Sequence, residues 1–196
     1  MTDPETIRVY DARAGEYAAL TGRDGPDRTL ADFIARVVPG GRVLDLGCGP
    51  GGSARHMAAA GLQVEAWDAS AEMVALAARQ PGVAARQAVF DDLTAIAAYD
   101  AIWANFSLLH APRADIPRHL SAIARALRPG GLFHIAVKEG KGEARDALGR
   151  GYTYFTEAGL TRLLQDAGLT PGPFKRGVDK GLSGSMDPWI SVTAHG

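Results

Sequence analysis

Val43-Leu44-Asp45-Leu46-Gly47-Cys48-Gly49-Pro50-Gly51-Gly52 decides the reading of this chain. Residues 42–46 form a short apolar run of strand character, and 52–60 carry Met57 and several alanines at positions that turn inward on a helix. The glycines sit where strand hands over to helix. Glycine tolerates positive φ and lets a ligand approach the backbone closely. The helix that follows presents free N–H groups and a positive dipole end, which suit an anionic ligand group. Gly47-x-Gly49-x-x-Gly52 has the form of a dinucleotide fingerprint, which alone is a weak sign. Four glycines within residues 47–52 exceed what a simple βα turn requires.

Outward from the bend, strands alternate with helices. Leu30, Phe33, Ile34, Val37 and Val38 fall on one helical face, stopped by Pro39-Gly40-Gly41. Strands are predicted at 63–67, 84–89, 100–104, 132–137, 174–178 and 189–194. Helices are predicted at 70–78, 113–127 and from Thr156, with Ser70 and Thr156 as N-caps. This alternation predicts an α/β, doubly wound, mostly parallel sheet with helices on both faces. Ligands of such sheets sit beyond the carboxyl ends of the strands. Residues 1–28 are more polar, with Tyr10 and Tyr17 seven apart on one helical face. They read as an N-terminal cap segment ahead of a domain at 29–196.

Composition narrows the function. The chain has 196 residues, 46% of them hydrophobic, enough for one full core. Twenty-one basic residues against 22 acidic ones leave a formal charge of −1, which supplies no field for a phosphate backbone, so nucleic acid is not expected as a partner. No run of about 18 apolar residues is present, so no membrane partner is expected either. The acidic start, Met1-Thr2-Asp3-Pro4-Glu5, does not resemble a secretory signal, and Cys48 is the only cysteine. A cytoplasmic protein without a metal centre is the expectation.

Two carboxylates follow successive strands. Asp68 lies 19 positions after Gly49, where a carboxylate accepts hydrogen bonds from both hydroxyls of a ribose. Phe90-Asp91-Asp92-Leu93 follows the third strand; there Asp91 is placed to accept from an adenine amino group while a backbone N–H reads a ring nitrogen. A nucleoside held by two strand ends, with a small tail at the first helix, describes S-adenosylmethionine.

At these residues the chain resembles the class I S-adenosylmethionine-dependent methyltransferases that act on small molecules. The resemblance is carried by the 43–51 motif, by Val64-Glu65-Ala66-Trp67-Asp68-Ala69-Ser70, by 99–110, by Leu127-Arg128-Pro129-Gly130-Gly131-Leu132 and by 154–160, and it spans about residues 30 to 194. It implies a seven-stranded, Rossmann-like sheet whose last strand is antiparallel, with S-adenosylmethionine as cofactor and S-adenosylhomocysteine as product. It also implies that Gly47 and Gly49 line the methionine tail, that Asp45 orients its ammonium, that Asp68 holds the ribose with Ala69 and Phe90 beside the adenine, and that Asn105 stands near the reaction centre. Many relatives carry an acidic residue where this chain has Val89, which leaves the adenine contact to Asp91 or to backbone.

The chemistry so implied is in-line displacement, in which a nucleophile attacks the sulfonium methyl group. Protein groups then supply orientation and exclude water, and a base is needed only for a nucleophile with a proton of high pKa. His110, five residues beyond the fourth strand, is the candidate base. Tyr10, Tyr17 and Tyr152, with the loops at 138–155 and 179–188, are expected to line the site of a small-molecule acceptor. Two alternatives use the same bend: a nicotinamide-dependent oxidoreductase, and a non-enzymatic cofactor-binding module that regulates a partner. Neither the acceptor nor the oligomeric state is written in the sequence.

Overall fold

The computed structural model describes residues 3–196. Helices α1 (Pro4–Ala12), α2 (Ala14–Thr21) and α3 (Arg28–Arg36) precede β1 (Arg42–Leu46). Then come α4 (Gly52–Ala59), β2 (Gln63–Asp68), α5 (Ala71–Ala77), β3 (Val83–Gln87), β4 (Tyr99–Asn105), α6 (Ile116–Ala126) and β5 (Leu127–Lys138). The chain closes with β6 (Glu143–Arg145), β7 (Gly151–Thr153), α7 (Glu157–Asp166), β8 (Thr170–Pro171), β9 (Lys175–Lys180) and β10 (Met186–His195).

The sheet runs β3-β2-β1-β4-β5-β10, with β8 and β9 both paired to the far side of β10. Its first five strands are parallel and β10 is antiparallel to β5. Gly172-Pro173-Phe174 interrupts what is otherwise one edge strand, because proline brings no ladder donor. The segments therefore fill the seven expected strand positions, with the antiparallel strand where it was anticipated.

Alternation along each strand builds two cores. Leu44, Leu46, Ile102, Ala104, Phe133, Ile135 and Val137 pack on one face with α6 and α7. Val43, Val64, Ala66, Ala101, Trp103 and Leu132 pack on the other with Leu30 and Phe33 of α3 and with Met57 of α4. The second face carries the site. In its cross-strand rows, Asp45 pairs with Trp103 and Trp103 with His134; Asn105 pairs with Ala136 and Ala136 with Ser191; Lys138 pairs with Trp189 and Trp189 with Gly177. Residues in register share a face.

Several boundaries differ from the sequence expectation. Helix α3 begins on Asp27, whose side chain accepts from Leu30 N at 2.9 Å. It ends at Arg36, leaving Val38 57% exposed, because Pro39 drives its predecessor out of the helical region. Strand β3 stops at Gln87, two residues early, where Phe90–Asp92 begins a 3-10 turn. Pro129-Gly130-Gly131 does not precede β5 but lies inside it as an irregularity opposite Tyr99 and Ala101. The stretch read as the loop 138–155 contains the β6–β7 hairpin. Tyr10 and Tyr17 lie on two helices broken at Arg13, yet their rings meet at 5.4 Å.

Helix α1 is fastened at both ends of its span. Thr6 Oγ1 accepts from Gly151 N at 2.8 Å, and Asp3 pairs with Arg145 at 2.8 Å. Asp11 accepts from Ser70 Oγ at 2.5 Å. The α1–α2 pair thereby bridges the β6–β7 hairpin and the start of α5, over the glycine bend. Among the described residues no helix is long and apolar enough to cross a membrane.

Candidate cofactor and acceptor site

Gly47, Gly49 and Gly51 hold φ of 79°, 52° and 82°, conformations costly to other residues. Gly47 N and Cys48 N both donate to Trp67 O, at 2.7 and 2.9 Å, which ties the bend to the end of β2. A Cβ on Gly47 would stand 2.2 Å from Ser107 Cβ, and Ser107 Oγ donates to Leu46 O at 2.6 Å. The segment after β4 therefore presses directly on the bend.

Asp68 completes this cradle. Its Oδ2 accepts from Gly49 N and its Oδ1 from Ser70 N, each at 2.9 Å. The Ala69 amide also bears on this carboxylate, and its remaining acceptor capacity is open to a ribose hydroxyl. The bend and the carboxylate are thus one hydrogen-bonded unit.

A cavity of about 520 Å³ opens over the bend, within the size range of small-molecule sites. Asp45, Gly47, Gly49, Asp68, Ala69, Phe90, Asp91, Asn105, His110, Tyr10, Tyr17 and Tyr152 all line it. Every residue singled out from the sequence is therefore brought to one space. Asp45 is 2% exposed, and its Oδ2 has no hydrogen-bond partner among the described residues. Burial, aided by the nearby Asp68 charge, pushes its carboxyl up to about 8. A buried acceptor without a donor suits an incoming ammonium group.

Asp91 is placed less simply than expected. Its carboxylate pairs with Arg118 and lies 3.7 Å from His119 Nδ1. The adjoining Phe90 meets the His119 ring edge-on at 5.3 Å. Asn105 Oδ1 lies 3.3 Å from His134 Nε2. His134 in turn stacks on Trp103 with centroids 3.8 Å apart.

His110 sits in a closed network. Its Nδ1–H donates to Gly151 O at 2.8 Å, which leaves Nε2 as the acceptor for the Tyr10 hydroxyl at 2.9 Å. Tyr10 also accepts from Arg150 Nη1 at 3.0 Å, and Arg150 is held by Asp146 at 2.6 Å. Burial, with the Arg150 and Lys138 charges, lowers the imidazole to about 4, so it is neutral at pH 7. Tyr152 packs against it with centroids 4.7 Å apart.

Sequence reasoning named Lys138 and Asp187 only as parts of the rim loops 138–155 and 179–188, and missed other residues of the cavity wall. Lys138 is 8% exposed and pairs with Asp187 at 2.8 Å. Ser191, His134 and Trp189 also face the space. All belong to β5 or β10, and only the strand register brings them beside Asn105.

This sheet order, with a nucleoside-sized cavity over a glycine bend, defines a Rossmann-like nucleoside-binding domain. The comparisons specify it further. A family model described as a methyltransferase domain matches residues 43–131. The chain is 34% identical to trans-aconitate 2-methyltransferase of Mycolicibacterium gilvum over 200 aligned positions, which cover 89% of this chain and 77% of that protein. It is 36% identical to malonyl-[acyl-carrier protein] O-methyltransferase of Enterobacter lignolyticus, over 59% of this chain. The matched region spans about half of that relative, 51% of its length. Among solved structures, 1,6-didemethyltoxoflavin-N1-methyltransferase of Burkholderia thailandensis, bound to 1,6-didemethyltoxoflavin and S-adenosylhomocysteine, superposes with a TM-score of 0.79. The two are 26% identical, with 97% of this chain and 87% of that one covered.

This chain belongs to the class I S-adenosylmethionine-dependent methyltransferase family. The residues present fit that family's cofactor, S-adenosylmethionine. The unpartnered Asp45 oxygen suits its ammonium, the remaining acceptor capacity of Asp68 suits its ribose, and Gly47 and Gly49 border the cavity where its tail would lie.

Proposed function

We propose that this protein transfers the methyl group of S-adenosylmethionine to a small-molecule acceptor bound beside Asn105. The observation that carries this reading is the bond from Gly49 N to Asp68, which joins the bend and the ribose-binding carboxylate into one preformed cradle. Family membership favours methyl transfer over the nicotinamide-dependent alternative. When bound, the cofactor supplies an activated sulfonium methyl group as electrophile.

In this reading Asp45, Gly47 and Gly49 hold the amino-acid tail, and Asp68 holds the ribose. Ala69 and Phe90 flank the adenine, whose amino edge is met by Asp91 or by backbone near it. Tyr10, Tyr17 and Tyr152 wall the acceptor and exclude water, which strengthens every polar contact inside. His110 takes the acceptor's proton where there is one to take. Because its Nε2 lone pair faces the Tyr10 hydroxyl, the acceptor's proton moves to Tyr10 O as the tyrosine's own proton moves to Nε2. A weak neutral base suffices, since the acceptor proton becomes strongly acidic as the new bond to carbon forms.

Two results are expected. The Asp45 carboxyl, protonated near pH 7 in the free protein, ionises when an ammonium arrives beside it. Binding of S-adenosylhomocysteine at pH 7 then releases about one proton, and affinity rises with pH between roughly 6 and 8. Calorimetry in phosphate and in Tris reports this as different apparent heats, and Asp45→Asn removes the difference. Equal heats for the native protein contradict the assignment.

Second, His110→Ala lowers turnover by roughly 100-fold for an acceptor with a proton of high pKa and leaves an acceptor that reacts as a thiolate unaffected. Tyr10→Phe reproduces that selectivity. Equal losses on both acceptor classes reduce His110 to a packing residue.

A further inference from the structure

The acceptor end of the cavity is built around a fixed aromatic surface. Trp189 lies across the backbone of Gly177 on the neighbouring strand: a Cβ there would stand 2.3 Å from Trp189 Cζ2. Its indole N–H donates to Asp179 Oδ2 at 2.8 Å. Glycine beneath and a hydrogen bond at the edge hold the ring flat on the sheet. Phe106, held at a φ of 56°, meets it edge-on at 86° with centroids 6.2 Å apart. Both rings line the cavity.

Beside this surface lies a strip of polar groups with unused hydrogen-bonding capacity. The Ser191 hydroxyl, on a residue 3% exposed, lines the cavity and is not engaged by any side chain among the described residues. His134 Nδ1 has no hydrogen-bond partner among them. Asn105 uses its carbonyl oxygen toward His134 and leaves its N–H groups free. A ligand edge with donors and acceptors would use the capacity of the Ser191 hydroxyl and the Asn105 amide.

The charges in the same space are balanced. Its two buried cations are each paired with a carboxylate, Lys138 with Asp187 at 2.8 Å and Arg150 with Asp146 at 2.6 Å. The other lysine and arginine of the wall, Lys180 and Arg23, lie on its exposed rim. A polycarboxylate entering here would find no unpaired buried cation and would set its charge near Asp187 and Asp45.

We infer that the acceptor is a flat, uncharged conjugated ring that stacks on Trp189 and presents a hydrogen-bonding edge to Asn105 and Ser191. This rests on the methyl-transfer reading above. The relative named for trans-aconitate therefore differs from this chain in the substrate it selects.

The test uses protein saturated with S-adenosylhomocysteine, whose own binding is measured first. 8-Hydroxyquinoline, 2-naphthol and 2,4-dihydroxypteridine are titrated as ring probes, and trans-aconitate and octanoate as linear acids. At least one ring is expected to bind at least tenfold more tightly than either acid. Trp189→Ala weakens that ring at least tenfold while leaving S-adenosylhomocysteine affinity within threefold, which also shows that the variant folds. Trp189→Phe keeps ring affinity within about threefold, and Ser191→Ala lowers it for hydroxylated rings. Tighter binding of either acid, no ring binding, or indifference of ring binding to Trp189→Ala overturns the inference while methyl transfer stands. Failure of S-adenosylhomocysteine to bind strikes the underlying reading instead.

Discussion

Gly47→Ala is expected to abolish measurable cofactor binding and to destabilise the fold by roughly 2–6 kcal/mol. Two costs add. The backbone at Gly47 has a φ of 79°, which costs a residue with a Cβ about 1–3 kcal/mol. The new methyl group would also stand 2.2 Å from Ser107 Cβ, so the bend or the segment after β4 must move, and forced overpacking costs about 1–3 kcal/mol. The movement separates Gly49 from Asp68, the two groups the cradle needs in contact. Urea denaturation measures the stability loss and calorimetry the binding. Adding Ser107→Gly relieves the collision but not the backbone strain, so the double variant recovers only part of the loss. A Gly47→Ala protein within about 0.5 kcal/mol of the parent, with cofactor affinity intact, shows that the bend is looser than described.

Asp68→Ala is expected to weaken S-adenosylhomocysteine binding by about 1.5–3 kcal/mol, roughly 10- to 150-fold in Kd. The carboxylate has two duties. It accepts from Gly49 N and Ser70 N, and it is the proposed acceptor for the ribose hydroxyls. Its removal leaves the Gly49 and Ser70 amides without that acceptor, so the denaturation midpoint falls as well. Asp68→Asn separates the duties: one oxygen still accepts from an amide, but an acceptor for the ribose diol is gone. Asn is therefore expected to restore most of the stability and little of the affinity. Parallel titration of S-adenosine analogues lacking the 2′-hydroxyl should show a smaller penalty in both variants. Unchanged affinity in Asp68→Ala removes the ribose assignment.

The glycine-bend half of the cavity was legible in the sequence because local backbone chemistry builds it. Gly47, Gly49 and Asp68 act through turn geometry, N–H groups and a strand end, all of which leave a mark within a few residues. The sheet was legible for the same reason, since each strand is bounded by its own turn residues. Helix α3 was extended two residues too far because the apolar pattern at Val37 and Val38 conceals the constraint of Pro39. Asp91 was read as an open carboxylate because its partner Arg118 lies on α6, 27 positions away. His110 was read as the candidate base, and its engagement by Tyr10, 100 positions earlier, left no mark in the sequence. The acceptor end was almost illegible. Trp189 over Gly177, Lys138 against Asp187, and Ser191 beside Asn105 exist only through the register of β10 with β5 and β9, and neither apolar period nor spacing encodes a register.

Calorimetric titration of the native protein with S-adenosylhomocysteine, beside NAD under the same conditions, tests the cradle most directly. One equivalent of S-adenosylhomocysteine should bind with micromolar affinity, weakened at least tenfold by Asp68→Ala, and NAD should give no heat. A folded protein that binds neither S-adenosylmethionine nor S-adenosylhomocysteine, or that prefers NAD, contradicts the account.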